Sequence, residues 1–144
     1  MPGAALTRRV RFAATHRYHR PDWDDIRNHA TFGACAAAEP HGHDYTCDVT
    51  IAGDVEPATG MVADLGVLDR VLAQEVVGRL DGRCVNDALP EFAPGRRIPT
   101  CEELAHVIAV RVADALAHAG ARARVASVRV AEDDTLWATW TTGG

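Results

Sequence analysis

No apolar stretch in this sequence approaches the ~20 residues that a bilayer span requires, so no membrane segment is expected. Basic clusters are equally scarce. Nothing longer than the pairs Arg8-Arg9 and Arg96-Arg97 occurs in a chain of net charge -5, whereas nucleic-acid binding needs a dense basic face. Nucleic acid is therefore excluded as an expected partner. Lysine is missing altogether, all 15 basic residues being arginine, and this bias carries no argument about chemistry. The four cysteines, at 35, 47, 84 and 101, show neither CxxC spacing nor the density of a disulfide scaffold, so each is read as a separate thiol. The opening stretch MPGAALTRRVRF sets its charged pair directly before a strand-like run, where a signal peptide would have an apolar core and a cleavage site. A cytoplasmic protein is expected.

What is present suits one ordinary globular domain over residues 1–144, with 47% hydrophobic and 24% charged residues. From Thr7 to His16 the run TRRVRFAATH alternates Val10, Phe12 and Ala14 against Arg9, Arg11, Ala13 and Thr15, the period of a half-buried strand. A second strand spans His43 to Ala52, with Tyr45, Cys47, Val49 and Ile51 on one face. The polar stretch between them is too long for an idle connection. A helical turn near 22–30 is compatible with it. Leu65, Leu68, Val71, Leu72, Val76 and Leu80 recur at helical spacing. A second helix starts at the N-cap candidate Thr100, with Glu103 three residues on, and stops at Gly120. ARVASVRVAE and DTLWATWTT, joined at Asp133-Asp134, form a hairpin. The order β-β-α-α-β-β predicts an α+β fold, an antiparallel sheet with helices on one face.

Three histidines occupy strand ends. His41 and His43 flank Gly42 where the second strand begins, and His16 closes the first on its core-facing parity. Residues i and i+2 of a strand share a face, so the pair converges, and an adjacent antiparallel strand brings the third ring. Three neutral imidazoles suit zinc and leave a fourth coordination place open, as catalytic sites do. Each ring also needs a partner for its second nitrogen, for which Asp44 and Asp48 are candidates. The bland alternative is a chance HxH among seven histidines. His19, His29, His106 and His118 have no comparable arrangement and read as solvated or locally bonded.

Together RFAATHRY, FGACAAAEPHGHDY, GMVADL, LDGRCVN, PTCEELA and VRVAE resemble the 6-pyruvoyltetrahydropterin synthase and 6-carboxytetrahydropterin synthase family, in order, over about residues 9–140. The resemblance implies the T-fold: a four-stranded antiparallel sheet with two helices on one side, assembled through its sheets into a barrel, as a trimer-based hexamer or a tetramer. It implies zinc on His16, His41 and His43, and a reduced pterin substrate, 7,8-dihydroneopterin triphosphate. Cys35 matches the family's base, which works as a thiolate and so needs a nearby cation to lower its pKa from the ordinary ~8.5. Otherwise Cys35 is a small buried hydrophobe, the reading given to Cys47, Cys84 and Cys101. Glu132 matches the carboxylate that anchors the pterin, and is otherwise a strand-end charge. Thr100 and Glu102 match residues of the pterin pocket, with helix capping and dipole compensation as their structural alternative.

One departure stands out. Family members carry Asp-His where this chain reads Asp81-Gly82, so the imidazole expected to carry the second proton is missing while its orienting partner Asp81 remains. Three readings follow: a pterin synthase giving a 6-pyruvoyl- or 6-carboxy-tetrahydropterin with Asp81, water, His19 or His29 as substitute; a diverged zinc lyase or aldolase-like enzyme; and a non-catalytic zinc-dependent pterin-binding module. Retention of Cys35 with the histidines and Glu132 ranks catalysis first.

Overall fold

The first strand extends further than expected, beyond the alternation that reveals it: burial alternates only from Val10 on, and the residues before it are exposed. In the structure, a computed structural model that describes residues 3–142, strand β1 is Gly3–His16 and strand β2 is His41–Asp54. Both ends of the expected 1–144 domain, and the first two residues of the stretch read against a signal peptide, lie outside the described residues. The two strands pair antiparallel along their whole length, from Gly3 opposite Asp54 to His16 opposite His41. That register puts all three strand-end histidines at one end of the hairpin.

Five strands form the sheet, in the order β3-β1-β2-β4-β5, with β3 at Arg83–Cys84, β4 at Arg124–Ala131 and β5 at Trp137–Thr141. The expected four are β1, β2, β4 and β5, all antiparallel. The addition is β3, two residues paired parallel with Ala14 and Thr15. Two residues show no alternation, so periodicity could not reveal it.

Helices cover one face only. The segment expected as a single helix is α2 (Leu65–Leu72), a π-helical turn (Ala73–Val77) and the short α3 (Gly78–Leu80). Helix α5 (Cys101–His118) is capped by Thr100, whose hydroxyl accepts from the Glu103 amide at 3.1 Å. It ends in a Schellman arrangement: the Gly120 amide donates to Ala117 and the Ala121 amide to Leu116, with Gly120 at φ 80. Shorter helices are α1 (Asp25–Phe32) in the long loop and α4 (Val85–Ala88). Leu68, Leu72, Val76, Leu104, Ile108 and Val112 pack against Phe12, Tyr45, Val49, Ile51, Val128 and Val130 to form the core. No helix among the described residues is long and apolar enough to cross a membrane.

The opposite face of the sheet is polar. Asp48 accepts from Arg9 at 2.7 and 3.0 Å and lies 3.5 Å from Arg129, whose guanidinium sits 4.4 Å from the Trp137 ring centre. Charged ladders run across this face. The strand edges are what remain open. Among the described residues, the sheet ends at β5 on one side and at the two-residue β3 on the other, which leaves most of β1 without a neighbour there.

Candidate metal centre

Strand parity carries the site. His16 shares the core face with Phe12 and Ala14, and His41 and His43 share it with Tyr45, so three imidazoles meet at the end of the paired strands. Ring centroids lie 4.9 Å apart for His16–His41 and His16–His43, and 5.2 Å for His41–His43. Their ligand atoms fall within 4.8 Å of one another. His16 Nε2 and His43 Nε2 are buried with no hydrogen-bond partner. An unpartnered buried polar atom costs about 1–3 kcal/mol. Two such nitrogens aimed into one cluster with a third imidazole form a donor set that fits a cation.

Burial, reinforced by the neighbouring His43 and His41, pushes His16 down to about 4. The ring is thus neutral at physiological pH, the form that ligates metals. Its Nδ1 lies 2.5 Å from the Tyr45 hydroxyl, which fixes the ring's orientation. That partner corrects the expectation of Asp44 or Asp48: Asp48 is held by arginines on the opposite face, and Asp44 is exposed on that face too. Tyr18 stacks on His16 at 4.6 Å from the other side. Both tyrosines were missed from the sequence, although each follows a histidine by two residues in an extended segment and so shares its face.

Cys35 lies in a 3-10 turn (Gly33–Ala36), with its Sγ 3.5 Å from His41 Nε2. The turn is tied down by the Tyr18 amide, which donates to the Cys35 carbonyl at 2.8 Å. The preceding loop is organised by the buried Asn28, whose amide accepts from Arg20 N–H and donates to the carbonyls of Arg20, Trp23 and Asp24. Burial, then the Glu132 charge, raises the Cys35 pKa. Without a cation the group is a thiol. Glu132, just beyond β4, reaches to 3.6 Å from His43 Nε2. Cys35 and Glu132 thus flank the three rings.

The remaining expected residues are placed differently. Thr100 caps α5, and Glu102 is exposed in its first turn. Asp81 Oδ1 accepts from the Ala13 amide at 2.9 Å, so this carboxylate grips the edge of β1. Gly82, with φ 73, lines an open pocket of about 360 Å³ with Ala13, Thr15, Gly42 and Asp44. Cys47 and Cys101 are buried and pushed up to about 12, mainly by desolvation, whereas Cys84 is half-buried. His29 and His118 bond local carbonyls at Asp25 and Asp114.

The sequence pattern of the family described as 6-pyruvoyl tetrahydropterin synthase matches residues 5–142. The chain belongs to that family. It is 37% identical over 92 residues to a 6-pyruvoyl tetrahydrobiopterin synthase of Drosophila melanogaster, covering 64% of this chain and 55% of that protein. With the protein of the same name from Poecilia reticulata the identity is 34% over 111 residues, 77% of this chain and 74% of the relative. The chain therefore spans little more than half the length of the first of these relatives. The solved structure of Caenorhabditis elegans 6-pyruvoyl tetrahydropterin synthase superposes with a TM-score of 0.89 at 26% identity, over 99% of this chain and 98% of that one. The T-fold of this family thus accounts for the sheet and the two long helical segments described above.

Proposed function

We propose that the protein is a zinc-dependent pterin synthase-like lyase that acts on 7,8-dihydroneopterin triphosphate, eliminating triphosphate to leave a 6-pyruvoyl-tetrahydropterin, or a 6-carboxy-tetrahydropterin where the other two side-chain carbons also leave as a two-carbon fragment. One observation carries this reading: three imidazoles, two with orphaned buried nitrogens, lie beside a thiol at 3.5 Å and a carboxylate at 3.6 Å. His16, His41 and His43 hold the zinc, with Tyr45 orienting His16. Zinc held there supplies positive charge that favours deprotonation next to the substrate's side-chain oxygens. Glu132 accepts the pterin ring N–H and exocyclic amine, which fixes the side chain's place. Cys35, as thiolate, removes the proton, and the bond to the triphosphate oxygen breaks. Asp81 keeps Oδ2 for the second proton transfer, and Thr100 and Glu102 border the pterin. The protein works as a cytoplasmic homo-oligomer, a reading supported by the open edges of β1 and β5.

The test is incubation of the zinc-loaded protein with 7,8-dihydroneopterin triphosphate, with triphosphate measured and the pterin product identified by mass spectrometry. Cys35→Ala is expected to lower release by about 10²- to 10⁴-fold, the usual contribution of a general base. A second reading rests on Gly82: with no side chain there to carry a proton, the fold has become a zinc-dependent pterin-binding module or a lyase for another substrate. Tight binding of the substrate by the zinc form with no release of triphosphate would replace the synthase reading with this one.

A further inference from the structure

Next to His16 the outer edge of β1 is covered by a segment too short to count as a full strand. Asp81 Oδ1 accepts from the Ala13 amide at 2.9 Å, and the Gly82 amide donates to the Ala13 carbonyl at 2.7 Å. Arg83 and Cys84 then run beside Ala14 and Thr15. There the ladder would stop, because the chain turns into α4.

Asn86, in the first turn of α4, continues it with its side chain. Its Oδ1 accepts from the Arg17 amide at 2.8 Å, and its Nδ2 donates to the Arg17 carbonyl at 3.0 Å. One side-chain amide thereby supplies Arg17 with both hydrogen bonds that a neighbouring strand would give. The amide is itself fixed, since Nδ2 also reaches the Phe92 carbonyl at 3.4 Å and the Cys84 thiol lies 3.7 Å from Oδ1. The grip falls where it is needed. On the other side of β1 the last paired residue is His16, opposite His41, so past that point the sheet offers Arg17 no rung. A ligand on the last residue of a strand inherits any fraying of the strand end, whereas metal geometry tolerates about 0.5 Å of error.

We propose that Asn86 is a positioning residue of the metal centre: its amide is the terminal rung of the sheet and fixes the backbone that carries His16. The proposal rests on the metal-binding reading of the three histidines. The experiment is a titration of the purified full chain with Co²⁺, whose visible absorption reports both affinity and coordination geometry. Asn86→Ala is expected to bind Co²⁺ about tenfold more weakly and with a shifted absorption band, the low end of what losing an orienting group costs a metal site. Asn86→Asp keeps the shape and the Oδ1 acceptor but turns a carboxylate oxygen toward the Arg17 and Phe92 carbonyls, so it binds Co²⁺ at least as weakly as Asn86→Ala; it decides the matter alone if Asn86→Ala does not fold. Leu116→Ala, a core cavity near the C-terminal end of α5 where Leu116 lines a pocket with Met61 and Arg122, is the control: it lowers Tm and leaves Co²⁺ affinity and spectrum as in the parent. Parent-like Co²⁺ binding in the Asn86 variants, or an equal loss in Leu116→Ala, would overturn the proposal. A parent chain that binds no Co²⁺ would instead refute the metal site on which it rests.

Discussion

At the scale of single residues, position 82 separates two questions that a missing imidazole raises together. A Cβ built there meets no atom within 4 Å, so space is available, but φ 73 is a conformation that L-residues enter at a cost. Gly82→His is therefore expected to destabilise the fold by about 1–2 kcal/mol through the backbone and not through packing, as urea unfolding would measure. Histidine is among the residues that tolerate this region better than most, so the variant should still fold. A rise in triphosphate release would identify 82 as the place of a lost proton carrier; unchanged release at full zinc occupancy would favour redirected chemistry. The histidines themselves were legible because strand parity maps sequence spacing directly onto a face. Asn86 was not, since its function lies in matching a peptide group 69 positions away, and a side-chain amide leaves no periodic trace.

For the elements, α5 offers the cleanest test of local coding. Thr100 and Glu103 sit at cap spacing, and the hydroxyl does accept from the Glu103 amide, so Thr100→Ala should lower stability by about 1 kcal/mol while Thr100→Ser stays near the parent. Thermal unfolding checks the cap. A parallel rise in KM for the pterin in the Ala variant alone would add a pocket role to the capping one, and an unchanged KM would leave Thr100 purely structural. Long, strongly patterned elements such as β1, β2, β4 and α5 could be read because their burial is one-sided and periodic. Strand β3 and the π-helical turn could not: the first is two residues that complete an edge of β1, and the second keeps its apolar residue Val76 in the core, so neither breaks the pattern of the sequence.

Across the whole molecule, acid should act in two stages on the metal-free protein. His16 titrates near 4 in the fold against about 6.5 unfolded, so below pH 6.5 the unfolded chain takes up a proton that the native one refuses. Stability fully present above pH 6.5 is lost as pH falls toward 4, by roughly 3 kcal/mol. Asp48, Glu75 and Glu91 are held below the usual carboxylate range chiefly by hydrogen bonds from Arg9, Arg79 and Arg111, so their contribution is present above about pH 4 and disappears below it. Urea unfolding from pH 8 to pH 3 is expected to show both stages. Asp48→Asn should weaken only the lower one; a single transition confined to pH below 4 would contradict the buried neutral state of His16.

By itself the sequence determined which residues face the core, where the long helix is capped and stopped, and that three imidazoles belong to strand ends on one face, because all of these follow from the period of a backbone and from local hydrogen bonding. Only the tertiary structure decided that Tyr45 is the second partner of His16, that Asp81 grips a strand edge, and that charged ladders cross the far face of the sheet. Those outcomes depend on the register of β1 against β2 and on which polar groups were left without partners once the chain had closed, and neither quantity is a property of neighbouring residues.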